Sequence, residues 1–205
     1  MGITERREKE KSAMRNAILD AAMQLFVDEG YESVSIRRIA EKIEYSPSTI
    51  YLYFEDKDAI FYELHILGFN ELYKHQIEAQ KVEDPRERLI EHGRGYIQFA
   101  LNNPEFYDIM FILRSPIVKI KKVDGWECGD RSFNMLVKNI EECKAAGYFK
   151  NSDVLALSFM FWSLMHGMVS LHIRNRIFFL EDPEVNKVNE NFFENTLAVI
   201  RTLIR

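Results

Sequence analysis

The sequence predicts an all-α chain in two domains. An N-terminal three-helix domain built around a helix-turn-helix occupies residues 1–56, and a larger helical domain occupies 57–205. Three observations predict this. Val34 to Lys57 reads as two short helices joined by a tight turn, apolar residues recur at spacings of three and four through most of the remainder, and no segment with a strand's alternating period competes strongly.

The first helix runs from Ser12 to Glu29, with Ile18, Ala21, Ala22, Leu25 and Phe26 on one stripe and Gly30 as the residue that ends it. Ahead of it, Arg6, Arg7, Lys9, Lys11 and Arg15 crowd an arm interleaved with Glu5, Glu8 and Glu10. That pattern suits either a solvated helix start with i,i+4 charge pairs or a tail reaching a nucleic-acid groove. Ile36, Ile39, Ala40 and Ile43 then form a short supporting helix, with Ser35 placed to cap it. After Glu44 and Tyr45, Ser46 is a second capping residue. Pro47 takes the first helical position, where its missing N–H costs nothing and its fixed φ suits the helix.

In this second helix Ile50 and Phe54 face back into a small core, while Ser48, Thr49, Tyr51 and Leu52 point elsewhere. A first turn of small residues lets a helix end approach base edges in the major groove. Hydroxyls there bond to bases or phosphates, and Tyr and Leu offer apolar contact to thymine methyls. Tyr53 and Lys57, with Ser35 and Arg37, are placed to hold the sugar-phosphate backbone. The candidate residues for double-stranded DNA are therefore Ser35, Arg37, Ser46, Pro47, Ser48, Thr49, Tyr51, Leu52, Tyr53 and Lys57. By periodicity alone Tyr51, Tyr53 and Phe54 also fit a plain helical core; the capped, proline-started helix after a short turn favours the groove.

A long helix from Asp56 to about Gln80, carrying Phe61, Tyr62, Leu64, Leu67, Phe69 and Leu72, connects this head to the rest, so that its movement would reorient the head. Further helices are expected over Pro85 to Asn102, with Leu89, Gly93, Tyr96, Ile97 and Ala100 on one face, and over Pro104 to Arg114, Gly129 to Ala146, Ser152 to about Phe179 and Pro183 to Arg205. Ile117 to Val123 reads as a loop, with an edge hairpin or an ordered lid as lesser options. In the helix from Ser152, Leu155, Phe159, Trp162, His166, Val169 and Ile173 form one stripe, and Leu157, Phe161, Leu164, Met168 and Leu171 form another roughly half a turn away. The last helix is two-sided as well, with Val185, Val188, Phe192, Val199 and Leu203 on one stripe and Phe193, Leu197 and Ile200 on the other. Apolar stripes on opposite sides demand burial on both, and a second copy of the chain, forming a four-helix bundle about a twofold axis, is the economical partner. The candidate interface is Leu164, Met168, Leu171, Phe192, Val199 and Leu203.

The formal net charge of −5 opposes DNA binding in bulk, and the clustering of Arg and Lys in the arm and the motif answers it locally. Cys128 and Cys143 form no CxxC or Cys/His cluster, so reduced thiols are expected and neither a disulfide framework nor a metal site. No apolar run approaches the ~20 residues of a membrane span without interruption, and the charged start does not suit a signal peptide, which together imply a cytoplasmic protein without a membrane partner.

Gly30-Tyr31 followed by Thr49-Ile50-Tyr51-Leu52-Tyr53-Phe54-Glu55-Asp56-Lys57 closely resembles the DNA-binding domain of the TetR family of bacterial regulators, over residues 12 to 60. The chain departs from the family at Glu44, where Gly is common in the turn, at Ser48, also commonly Gly, and at Leu52, commonly His. A non-glycine at position 44 either takes a left-handed conformation at some cost or alters the turn. More weakly, Trp162, His166 and Gly167 resemble part of the family's C-terminal domain, through whose last two long helices its members dimerise. The resemblance implies a homodimer whose paired heads meet half-sites about 34 Å apart, a repressor's sign, and an unidentified small hydrophobic or aromatic effector. Tyr96, Phe99, Tyr107, Met110, Phe111, Phe133, Phe159, Trp162 and His166 are the candidate pocket, although such side chains equally make plain core. No cofactor is expected. Two other readings remain: a helical protein-interaction module with a degenerate helix-turn-helix, favoured by the acidic charge and Glu44, and an all-helical enzyme using His166, or His92 near Arg94. No catalytic motif supports the enzyme, and the expectation is a protein without catalysis.

Overall fold

The computed structural model describes residues 2–113, 126–177 and 191–205, and all regular structure among them is helical. The helices are α1 (Ile3–Glu29), α2 (Ile36–Lys42), α3 (Pro47–Tyr51), α4 (Lys57–Ala79), α5 (Pro85–Asn102), α6 (Pro104–Tyr107), α7 (Glu127–Ala145), α8 (Val154–Ile173) and α9 (Phe192–Leu203). The expected loop over 117–123, the far end of the helix running to Phe179 and the beginning of the last helix lie outside the described residues.

The described residues pack as two compact units, one comprising 2–68, 105–113 and Trp126, the other 69–104, 127–177 and 191–205. The division thus falls inside α4, not at its start, because Ile60, Phe61 and Leu64 from its first turns are sealed in the first core. That core joins Ile18, Ala22, Leu25 and Phe26 of α1 to Ile39, Ala40, Ile50 and Ile109. Phe26, Tyr31 and Phe61 form a ring trio with centroids 4.9 to 5.5 Å apart. Each such buried side chain contributes about 1.5–3 kcal/mol by leaving water.

Helix α1 begins nine residues earlier than expected, at Ile3, so the charged arm is itself helical. α6 ends at Tyr107 and passes into a wider π turn over Asp108–Ile112 instead of continuing as one helix; Tyr107, Ile109 and Met110 are all buried there. In the second unit α5 is central and packs against α7, α8 and α9. Gly93 allows its close crossing with α8, since a Cβ there would stand 2.9 Å from Met165 Sδ and 3.1 Å from Phe161 Cζ.

Helix α8 is long and apolar overall, with the polar interruptions expected of it. The most apolar 18-residue stretch of its 20 residues has a mean hydropathy of 1.7, which meets the length and composition of a bilayer span. Ser158, Ser163, His166, Gly167 and Ser170 interrupt the run. It begins at Val154, two residues after the expected Ser152, and its capping residue is Asp153, whose Oδ1 accepts from Ala156 N at 2.8 Å. The side that packs takes the inner edge of each expected stripe, Leu157 and Phe161 from one and Val169 from the other, and not either stripe whole. It is the sector between them, holding Leu157, Phe161, Met165 and Val169, and it leaves Leu155 and Phe159 exposed on one flank and Met160, Leu164 and Leu171 on the other.

Candidate nucleic-acid interface

The head is assembled from both ends of the helix-turn-helix. Gly30, at φ +79°, ends α1 in a conformation costly to other residues, and its N–H still reaches Phe26 O at 3.1 Å. The chain then turns Tyr31 inward, where its hydroxyl donates to Asp58 Oδ1 and its carbonyl accepts from Lys57 Nζ at 2.8 Å. The same ammonium lies 4.1 Å from the Tyr31 ring centroid. Burial, followed by the Asp58 carboxylate, pushes the Tyr31 phenol well above its ordinary pKa, so it remains a donor. The Gly-Tyr and Lys-Asp pairs are therefore two halves of one clamp tying the end of α1 to the start of α4. Sequence reasoning saw the first pair and Lys57 but missed Asp58, whose partner is 27 residues away.

Ser35 caps α2 as expected, accepting from Arg38 N at 3.1 Å. The turn that follows is a Schellman motif: Tyr45 N donates to Ala40 O at 2.9 Å and Glu44 N to Glu41 O at 3.2 Å. Its left-handed position is filled by Glu44 at φ +60°, the first of the two outcomes expected for a non-glycine there. Ser46 precedes α3 as expected, but its hydroxyl caps no backbone N–H. It stands 2.7 Å from Ser48 Oγ and 3.0 Å from Thr49 Oγ1, so three hydroxyls share hydrogen bonds at the helix start.

Ile50 and Phe54 are buried on the inner side, while Ser46, Pro47, Ser48, Tyr51 and Leu52 are exposed and Thr49 and Tyr53 half-buried. Leu52 is 78% exposed and Tyr51 57%, values that exclude the core-aromatic reading for Tyr51. Arg37 is exposed and ion-paired with Glu41 at 2.9 Å. Lys57 is half-buried in the clamp, so bracing the head is its role within this chain. Arg15, counted with the charged arm, also serves as a brace: it bonds to Glu63 and to Tyr53 O, and its guanidinium carbon lies 4.4 Å from the Phe54 ring centroid.

Of the expected pocket residues, Tyr107, Met110 and Phe111 belong to the first unit and the other six to the second. The second unit brings five of these six together. Trp162 stands 6.2 Å from Phe133, 6.2 Å from Phe159 and 6.0 Å from His166 by ring centroids, and Tyr96 Oη lies 3.1 Å from His166 Nδ1. Phe159 is 61% exposed, so it borders this cluster from the surface. Burial lowers the His166 pKa and keeps it neutral. Elsewhere in the unit an open groove of about 240 Å³ is lined by His75, Glu78, Ala79, Val82, Glu91, Arg94, Gly95 and Gln98, none of them expected.

A buried polar network was also missed. Gln76 Nε2 donates to Ser132 Oγ at 2.9 Å and lies 3.4 Å from His92 Nε2, and Asn139 Nδ2 lies 3.1 Å from His92 Nδ1. Burial pushes His92 down to about 4, so the ring is neutral and accepts the Asn139 N–H. On the expected self-association faces, Leu164, Leu171, Val199 and Leu203 are exposed in the single chain, and Met168 and Phe192 half-buried.

Residues 18–64 match the family model of bacterial regulatory proteins, tetR family, and residues 89–200 match the tetracyclin repressor-like C-terminal domain. The HTH-type transcriptional regulator HbdR of Aromatoleum sp. (strain CIB) is 25% identical over 160 residues, which is 77% of this chain and 69% of that protein. In three dimensions the chain is similar to the TetR family regulator PfmR of Thermus thermophilus, with TM-score 0.65 and 23% identity over 88% of this chain and 97% of the other. It is also similar to AibR in complex with isovaleryl coenzyme A and operator DNA, with TM-score 0.64 and 18% identity over 76% and 85% of the two chains. With matched models covering both the helix-turn-helix and most of the helices that follow, the chain belongs to the TetR family of bacterial transcriptional regulators.

Proposed function

We propose that this regulator is a homodimeric repressor that reads a palindromic operator through α3 and leaves it when a small hydrophobic or aromatic ligand binds the second unit. The observation that carries the reading is the two-sidedness of α3: Ile50 and Phe54 anchor it, and Ser46, Ser48, Tyr51 and Leu52 stand in solvent on the opposite side. Ser48 and Thr49 meet base edges in this reading, Tyr51 and Leu52 meet thymine methyls, and Ser35, Arg37 and Tyr53 meet phosphate. Dimerisation through Leu164, Met168, Leu171, Phe192, Val199 and Leu203 supplies the pair of heads and covers apolar surface that one chain leaves in water. The cluster of Tyr96, Phe133, Trp162 and His166 supports an apolar effector with one polar group for the Tyr96–His166 pair. Because AibR is a similar structure holding isovaleryl coenzyme A, short-chain acyl thioesters are the first probes to try. Since α4 contributes to both units, it is the element through which occupancy would reset the spacing of the heads.

The test is selection of bound fragments from random duplex DNA, followed by titration at several salt concentrations. A palindromic consensus bound with a steep salt dependence supports the proposal; binding indifferent to both sequence and salt refutes it.

A further inference from the structure

Residues 4–13 of α1 are exposed, and the helix begins to meet its own unit only at Met14 and Arg15. At about 1.5 Å per residue, roughly 15 Å of helix stands clear of the fold. A peptide of this length carrying a single alanine is a marginal helix by itself. Here it continues a long helix and is held by Gly2 N–H on Glu5 Oε2 at 2.8 Å and by the Arg6–Glu10 pair at 2.9 Å.

The charges on this extension are sorted by side. At about 100° per residue, Arg7, Lys11 and Arg15 fall within a sector of about 80°, with Glu8 about 20° past the Arg15 edge, Glu10 about 60° past the Arg7 edge and Glu5 about 120° from its centre. Glu10 is engaged by Arg6. Arg15 is engaged by Glu63, but Arg7 and Lys11, at i,i+4, repel one another, an arrangement that a solvated helix gains nothing from and a polyanion relieves. Arg15 fixes the direction of this ridge, because its guanidinium sits on Tyr53 O and beside the Phe54 ring. Lys11 is one turn and Arg7 two turns farther out on the same side, continuing the row that begins at Tyr53.

We infer that this ridge is an additional contact for duplex DNA, with Arg7 and Lys11 seated on phosphates flanking those met by Tyr53; the inference rests on the proposed DNA-binding function. Such contacts add affinity and salt dependence without sequence preference.

The test compares wild type with R7Q/K11Q and with R6Q/K9Q, which removes the same charge from the other side of the helix, on one mixed-sequence duplex across a range of potassium chloride. Both substitutions lie on exposed positions, and circular dichroism checks that helix content is kept. The expected result is that R7Q/K11Q lowers the slope of log affinity against log salt by about 2 per bound protomer and weakens binding to every duplex, while R6Q/K9Q changes the slope by less than half as much. Equal losses in the two variants, or none in either, overturn the ridge and leave the α3 reading standing. Wild-type binding that ignores salt would sink both.

Discussion

Glu44→Gly should stabilise this protein, and the size of the gain follows from one dihedral angle. At φ +60° Glu44 occupies the left-handed position of the Schellman turn between α2 and α3. A residue with a Cβ is about 1–2 kcal/mol less favourable there. Glycine removes that strain but gives the unfolded chain more freedom, which offsets about 0.4–1 kcal/mol. The side chain is exposed, so little packing is lost. The net gain is about 0.5–1 kcal/mol, or a rise in Tm of about 1–4 °C for a chain of this size. Urea unfolding at one fixed protein concentration should rank Glu44→Gly above Glu44→Asn, and both above wild type, with Glu44→Ala no better than wild type. The charge separates from the backbone in a second assay. Both Glu44→Gly and Glu44→Ala remove a carboxylate two residues before Ser46 and should tighten duplex binding alike. Equal stability of the Gly and Ala variants would refute the strain argument, and tighter binding by Gly alone would refute the electrostatic one.

Three further outcomes are expected. Burial pushes His65 and His92 down to about 4, so the folded chain binds fewer protons than the unfolded chain, whose histidines titrate near 6.5. The stability intact above about pH 6.5 is therefore lost as the pH falls toward 4, by about 2 kcal/mol per histidine at pH 5; equal denaturation midpoints at pH 7 and pH 5 would contradict this. Tyr31→Phe should cost about 1.5 kcal/mol by leaving the Asp58 carboxylate without its phenol donor, read as a lower urea midpoint that Asp58→Asn largely shares and the double variant does not deepen. Leu164→Glu with Leu171→Glu, both at exposed positions, should convert dimer to monomer in sedimentation while leaving helix content intact, and an unchanged sedimentation coefficient would move the interface elsewhere.

What the sequence disclosed, it disclosed through local rules. Ser35, Pro47 and Pro85 mark the helix starts where they occur in the fold, because capping and proline geometry act within one turn. Ile50 and Phe54 turned inward as their four-residue spacing requires. The long-range arrangements were not legible. Nothing near Asp58 announces Tyr31, and nothing near Gln76 announces Ser132, 56 residues on. Their partners are selected by how helices cross, which a single helix's period does not encode. The charged arm was legible in part: its charges at i,i+4 suit the solvated helix start that α1 makes of it, with Arg6 paired to Glu10, although the apolar stripe alone placed the helix start only at Ser12.

Helix α8 shows why periodicity failed where it looked strongest. A helix apolar on every side has no phase, because any choice of stripe collects leucines and phenylalanines. What sets the phase here is the fit against α5, where Gly93 admits Phe161 and Met165 and Ser158 is fully buried with its hydroxyl on Val154 O at 2.8 Å. A serine that closes its own bond to the helix can be buried without an unpaired hydroxyl, so Ser158 joins Leu157, Phe161, Met165 and Val169 on the packed side, while other large apolar side chains are left on the flanks. Phe159, Met160, Leu164 and Leu171 are then surplus to one chain's core. A helix that fills its own core and still shows phenylalanine, methionine and leucine to solvent is shaped for a second surface, and this is the physical ground for assigning its exposed flanks to a partner.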